Sequence, residues 1–291
     1  MDEAVYLGVD LGGTQLRMAA VDRSGALTTE VISVPTGSHF GPDDFTTQIR
    51  NLRAELQTRI GNTEIAALGI GTPGVIVENA ITQSDNLPRL NGSNLKTLVG
   101  EGAAFAVKVE NDARCFALAE ARFGAGRGAS TLCGVTLGTG VGCGVIINRQ
   151  VHRGANAAAG EVYRIPLRGR HLEYFLSGPG LVRTYHAAGG QMPEGAGVLD
   201  GAGIAELARA GNGAARTAWR TFVEDLHFVC ECIVSLVDPE VIVIGGSITQ
   251  ARDLFGDELA RRLAGHATRI AYAELGTAAG VIGAAALNIA P

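Results

Sequence analysis

Lysine is nearly missing from this 291-residue sequence: Lys96 and Lys108 are the two present, and every other basic residue is arginine. A P-loop needs a lysine in GxxxxGK, and neither lysine sits in that setting, so Walker-type NTPases are excluded. The HRD and DFG triplets of protein kinases are absent too. No CxxC occurs. Cys115, Cys133, Cys143, Cys230 and Cys232 are odd in number and scattered, which suits reduced, buried thiols in a cytoplasmic protein. The net charge is −5 with no basic tail, which argues against a nucleic-acid partner held through its phosphates. Met1-Asp2-Glu3 is acidic and leads into a strand, so no signal peptide is read. The uncharged run from Leu275 to Pro291 is short for a membrane span and rich in alanine and glycine. With Gly276-x-x-x-Gly280 inside it, it reads as a helix packed closely on a neighbour and not as a membrane anchor.

What the chain has in excess is glycine, 41 residues or about 14%, roughly double the usual share. The glycines are not periodic, which excludes collagen; they gather in short turns, where backbone must approach something closely. The length suggests two domains, and 46% hydrophobic with 18% charged residues is an ordinary globular balance. Val5, Leu7 and Val9 alternate, as do Leu16, Met18 and Ala20 after Gly12-Gly13, and Leu27 to Val34 reads as extended. Phe45, Ile49, Leu52, Leu56 and Ile60 share one helical face. Ile65–Ile70 and Val107–Glu110 read as strands, with a helix following from Ala113 to Phe123. Further on, a helix starts near Ser177-Gly178-Pro179-Gly180, and a long one carries Trp219 to Val237 and stops before Pro239. Val241–Ile244 is a buried strand. GVDLGGTQLRMAAV at Gly8 and GVTLGTGVGCGVII at Gly134 share an apolar strand, a glycine turn and a returning strand. One such unit in each half suggests a duplicated fold.

The glycine turns carry the first chemical signal. GVDLGGT reads either as a tight hairpin or as a phosphate grip, with successive N–H groups and the Thr14 hydroxyl facing phosphate oxygens. A dinucleotide fingerprint needs a helix after the glycines, and here a strand follows. Asp10, at the strand end, either steadies the turn or orients a magnesium-bound water. GTGVGCG reads either as a second hairpin or, because four glycines in seven residues are more than one turn needs, as a partner to the first turn in clamping a nucleotide's phosphates. Gly245-Gly246-Ser247 reads as a strand-to-helix turn or as flat backbone against an adenine or ribose. Asp112, after Asn111, reads as a helix cap or as a general base that takes an alcohol's proton while the oxygen attacks phosphorus. Glu161, Glu173 and the arginines Arg164, Arg168 and Arg170 read by default as solvated loop residues.

In order along nearly the whole chain, GVDLGGT, GTPG, DNLP, VENDARCFALAEARFGAGRG, VTLGTGVGCGVI, GANAAAGE, LEYFLSGPGL and PEVIVIGGSI resemble the motifs of the ROK family of repressors and sugar kinases. The resemblance implies an α/β protein with a two-domain actin-like/ribonuclease-H-like ATPase fold and a central cleft. The domains are expected as 1–112 plus a C-terminal helix 276–291, and 113–275. It implies an ATP-dependent kinase acting on a glucose-like hexose, at the 6-hydroxyl, with Asp112 as catalytic base. Asp10, Gly12, Gly13, Thr14, Gly138, Thr139, Gly140, Gly245 and Gly246 would hold ATP and Mg. Gly74, Asn86, Asn111, Asp112, Glu161, Arg164 and Glu173 would hold the sugar. A homodimer is implied as well.

Two departures stand out. Where many family members read GEIGH, this chain reads Gly160-Glu161-Val162-Tyr163-Arg164, and the family's CxCGxxGC zinc segment is gone. No structural zinc is therefore expected, and that loop is expected to be held by packing or by hydrogen bonds from its arginines. The same change leaves open a kinase for an amino sugar or cyclitol, because Arg164 presents a rigid fork of donors. A sugar-responsive repressor is disfavoured, because the first phosphate motif begins at Gly8. A catalytically dead sensor has nothing to support it.

Overall fold

The computed structural model describes residues 4–100, 105–192 and 198–290; Met1-Asp2-Glu3 and Pro291 lie outside the described residues. The chain opens with β1 (Val5–Leu11), β2 (Gln15–Val21), β3 (Ile32–Pro35), α1 (Pro42–Ile60), β4 (Ile65–Thr72), β5 (Val75–Val77) and β6 (Ala80–Gln83). Next come α2 (Leu95–Val99), β7 (Ala106–Asn111), α3 (Asp112–Phe123), β8 (Leu132–Leu137), β9 (Val141–Ile147) and β10 (Gln150–His152). It continues through β11 (Pro166–Leu167), β12 (Arg170–His171), α4 (Gly178–Ala187), α5 (Gly201–Arg209) and α6 (Gly213–Val237). The last elements are β13 (Val241–Gly245), α7 (Gly256–Arg262), β14 (Arg269–Tyr272) and α8 (Ala279–Ala286).

The repeat read in the sequence returns as topology. One five-stranded sheet has the order β3-β2-β1-β4-β7 and the other β10-β9-β8-β13-β14, so each repeated hairpin occupies the same place in its sheet. In the first sheet β1 pairs antiparallel with β2 and parallel with β4, and β4 pairs parallel with β7. In the second, β13 lies parallel to both β8 and β14. Parallel strands align their carboxyl ends, which is where open α/β sheets bind ligands. Leu27–Val34 is corrected: it is not one strand. Leu27 makes an isolated bridge to Val21, Thr29 Oγ1 accepts the Ala20 N–H, and the strand begins only at Ile32. Side-chain and bridge bonds to β2 hold that stretch in place of a regular ladder.

The chain divides into two compact units, Met1–Gly128 with Gly144–Ala159 and Glu274–Pro291, and Ala129–Cys143 with Gly160–Ala273. This differs from a division at residues 112 and 276. The difference lies in Gly144–Ala159 and in α3, which both stay with the first unit; α8 packs flat against α3. A Cβ at Gly283 would run into the Cys115 carbonyl, and Cβ atoms at Gly8 and Gly69 would run into the carbonyls of Val281 and Ala284. Bare backbone at these positions lets α8 lie close on both the sheet and α3. No helix among the described residues is long and apolar enough to cross a membrane.

Within the first unit, α1 buries Phe45, Ile49, Leu52 and Leu56 against Leu7, Val9, Leu16 and Met18 of the sheet. The Asp44 carboxylate accepts the Gly41 N–H at its start, and Pro42 suits the first turn. In the second unit α6 buries Trp219, Phe222, Leu226, Cys230 and Ile233 and ends at Asp238, whose backbone is left-handed. Trp219 stacks on Phe255 with ring centroids 6.0 Å apart.

α3 also gathers the chain. The fully buried Glu120 carboxylate accepts the backbone N–H groups of Ala125, Glu274 and Leu275. Arg114 donates to the carbonyls of Ala157 and Ala159. Gly144 lies so close to the first turn of α3 that a Cβ would press on the Ala113 carbonyl at 2.5 Å.

Candidate active site

In the first unit, the carboxyl ends of three parallel strands put Asp10, Gly71 and Glu110 in one row, with Thr72 beside Asn111 one step further. The residues that follow these strand ends are the predicted ones: Gly12-Gly13-Thr14, Gly74 and Asn111-Asp112. Asn111, not Asp112, caps α3. Its Oδ1 accepts the N–H groups of Ala113 at 3.0 Å and Arg114 at 3.3 Å, and its Nδ2 donates to Gly74 O at 3.1 Å. Asp112 is therefore the first helical residue, half-buried, with Oδ1 accepting the Ala113 N–H at 2.9 Å. It stands in the first turn of the helix, the end at which the dipole favours acidic residues.

Gly74 holds a φ of 114°, and a Cβ there would strike the Gln83 carbonyl, so glycine is required for its own carbonyl to receive Asn111. Gly13 packs against the exposed Asn86, with only 3.2 Å between an added Cβ and the Asn86 Cβ. The hairpin is closed by Gly12 N–H to Gln15 O at 2.8 Å, and Thr36 Oγ1 donates to Gly12 O at 2.7 Å. Thr14 is exposed at the tip. Asp10 pairs with Arg17 at 2.9 Å, and Gly280 of α8 leaves room for its carboxylate. Burial pushes the Asp10 carboxyl up from the ordinary value, and Arg17 pulls the other way.

In the second unit, the Gly138-Thr139-Gly140 turn joins β8 to β9 and is drawn in by two bonds. Gly138 O accepts the Gly178 N–H at 2.8 Å, and Glu173 Oε2 accepts the Val141 N–H at 2.8 Å. Glu173 is thus seated on the glycine turn, where a Cβ at Gly140 would crowd its oxygen at 2.6 Å; it is not a solvated loop acid. Beside this turn lies a cavity of about 840 Å³ whose walls include Gly138, Thr139, Pro179, Asp200, Arg209 and Ser247. Gly245 and Gly246 do not line it. Gly246, with a φ of 88°, makes the turn out of β13 where a Cβ would collide with Leu137, and the next residue, Ser247, reaches the wall.

Sequence reasoning missed the α5 side of the cavity. Asp200 caps α5 through the Gly203 N–H, and Arg209 forks onto Asp253 and also pairs with Glu206. The Asp200-Gly201 pair before Ile204, Ala205 and Ala208 was the available signal.

Glu161 is half-buried before the 3₁₀ turn Val162–Arg164. Arg164 is about half-exposed. Its Nε donates to Tyr163 Oη at 2.9 Å, its guanidinium lies 5.3 Å from the Tyr163 ring centroid, and it stands 3.9 Å from Glu161. Arg168 donates to the buried Asp225 carboxylate at 2.5 Å and covers the Phe175 ring at 4.2 Å. Arg170 and Arg183 both lie against the Tyr174 ring. The basic stretch is therefore tied down by ion pairing and ring contacts. Among the described residues, no group of three or more His, Cys, Asp or Glu side chains is arranged to hold a metal ion.

The family model described as "ROK family" matches residues 6–290. The N-acetylgalactosamine kinase AgaK of Shewanella sp. (strain ANA-3) is 29% identical, covering 98% of this chain and 96% of its own length. The glucokinase of Streptomyces coelicolor is 30% identical, covering 98% of both. The crystal structure of a ROK family glucokinase from Streptomyces griseus, in complex with glucose and AMPPNP, superposes with a TM-score of 0.80 at 27% identity, over 98% of this chain and 99% of that one. The duplicated sheets, the glycine hairpins at their strand ends and these matches have one reading: the chain belongs to the ROK family and has its actin-like, ribonuclease-H-like ATPase fold.

Proposed function

We propose that this ATP-dependent sugar kinase transfers the γ-phosphoryl group of ATP to the 6-hydroxyl of a hexose, with Asp112 as general base. The observation that carries the reading is the β7–α3 corner: Asn111 caps α3, and the next residue, Asp112, holds a half-buried carboxylate at the strand end. Asp112 accepts the hydroxyl proton as the oxygen attacks phosphorus in line, and the phosphoryl group passes to the sugar while ADP leaves. Gly74, Asn86, Asn111, Glu161, Arg164 and Glu173 bind the sugar hydroxyls, for which carboxylates and amides are suited acceptors. Gly12, Gly13 and Thr14 on one turn and Gly138, Thr139 and Gly140 on the other offer backbone N–H groups and hydroxyls to phosphate oxygens. Gly245 and Gly246 set Ser247 at the cavity that takes the nucleoside.

Magnesium is a hard cation that binds through one or two carboxylates plus phosphate oxygens and water, and Asp10 is the carboxylate at the strand end that fits this donor set. Bound with ATP, the ion neutralises phosphate charge.

Asp112→Asn is expected to lose more than about 100-fold in turnover while still binding ATP by calorimetry. A variant that keeps over about a tenth of the wild-type rate removes Asp112 as the base.

A second reading, an amino-sugar or cyclitol kinase, is favoured by Arg164. Its guanidinium is held on Tyr163 and half-exposed, with donors to spare for an acyl carbonyl, and an N-acetylgalactosamine kinase is among the relatives. A coupled assay over D-glucose, N-acetyl-D-glucosamine, N-acetyl-D-galactosamine and a cyclitol separates the two. A clear preference for D-glucose sinks the second.

A further inference from the structure

The corner that presents Asp112 is built on a buried charge network to which the reaction gives no role. Glu110 is 0% exposed and Arg114 is 1% exposed. A buried charge is tolerated only when paired and hydrogen-bonded, and here the pairing runs through the peptides around Asp112. Arg114 Nη1 donates to Glu110 Oε1 at 3.1 Å, and Nη2 donates to the carbonyls of Ala157 at 2.7 Å and Ala159 at 3.2 Å. The same Glu110 Oε1 accepts the Asn111 N–H at 2.8 Å, and Oε2 takes Arg153 Nε at 2.5 Å. Asn111 then holds the N–H groups of Ala113 and Arg114. The peptides on both sides of Asp112 are thus fixed, and the chain of bonds ends on two carbonyls more than forty residues away.

We propose that Arg114 is a positioning residue for the reaction: by locking Glu110 to the Ala157 and Ala159 carbonyls it sets the direction in which Asp112 presents its carboxylate. This rests on Asp112 being the base. The planar guanidinium fork is what meets a carboxylate and two carbonyls at once; a lysine ammonium in its place keeps the charge and loses the fork.

The test uses the full chain with Mg-ATP and either D-glucose or N-acetyl-D-glucosamine, whichever the wild type turns over faster, together with thermal melting. Arg114→Met is expected to lower kcat about 10- to 100-fold, the range a displacement near 1 Å costs, while KM for ATP stays within about twofold. It also melts lower, because the buried Glu110 keeps only Arg153 of its two arginine partners and the Ala157 and Ala159 carbonyls lose their donor. In Arg114→Met combined with Glu110→Gln the under-paired buried charge is gone, so the melting temperature recovers in part while kcat does not. Arg114→Lys keeps most of the stability and shows the kcat deficit. A folded Arg114→Met or Arg114→Lys with kcat within about twofold of wild type overturns the proposal, as does a double variant in which kcat and melting temperature recover together. If Arg114→Met does not fold, Arg114→Lys and the double variant decide the matter by the same two readouts. Asp112→Asn is assayed alongside: if it stays active the base assignment fails on its own, whatever the arginine variants do.

Discussion

Asp10 ends β1 with its carboxylate against Arg17 and beneath Gly280, and burial raises its pKa above the ordinary 3.8 despite the arginine. Between the ordinary value and the raised one, the folded protein therefore holds a proton that the unfolded chain has released. The stability this contributes is full below the ordinary value and is lost as pH rises through the raised one, so at neutral pH the ionised carboxylate works against folding. Asp10→Asn is expected to melt above wild type at pH 7, with the gap closing as pH falls below about 4, and to phosphorylate sugar more slowly. A variant that melts lower than wild type at pH 7 contradicts this reading of its burial. Asp10 and Asp112 were legible because each follows an apolar strand and precedes a turn or helix start. Arg114 and Glu120 were not. Within ARCFALAEARF they pass for the polar side of an ordinary helix, and only the folded chain brings Ala157 to one and Glu274 to the other.

α8 shows what the excess of glycine is for. It lies on β1 and β4 over Gly8 and Gly69, and its own Gly283 meets the Cys115 carbonyl of α3. Gly283→Ala forces backbone apart at a fully buried contact, and a loss of about 1–3 kcal/mol or more is expected by urea unfolding; an unchanged midpoint would mean that α8 does not pack this closely. The β11–β12 hairpin is a second case. Its turn residue Arg168 clamps Asp225, whose carboxyl is raised by burial with the arginine opposing. Arg168→Met is expected to raise KM for the sugar at least about threefold with kcat less affected, whereas a zinc chelator added to wild type leaves the melting curve in place, since an ion pair and a ring contact replace metal bonds. Hairpins with strict alternation, such as β1–β2, and long amphipathic helices, such as α1 and α6, were plain in the sequence. The short β5–β6 hairpin and the alanine-rich α5 were not. β5 and β6 are too short to show alternation, and α5 buries one large apolar residue, Ile204, so its buried face of Ile204, Ala205 and Ala208 passes for loop composition despite its helical spacing and the Asp200 cap.

Across the whole chain, the polypeptide passes from one compact unit to the other at residues 128–129, 143–144, 159–160 and 273–274. A helix of twelve residues holds the first-unit side of every passage: Glu120 bonds to Ala125, Glu274 and Leu275, Arg114 to Ala157 and Ala159, and Gly144 abuts Ala113. Glu120→Ala leaves three part-buried N–H groups without their acceptor and is expected to cost about 1 kcal/mol or more, with Glu120→Gln milder because an acceptor oxygen remains; equal urea midpoints for the two would argue against the carboxylate as their anchor. For anyone grafting the first unit of one relative onto the second unit of another, this dictates where to cut. Seams placed at those four junctions leave the clasp intact in the recipient. Seams a few residues toward α3 would import a foreign loop onto a native helix, and Asp112 at its first position would be the first side chain misaligned.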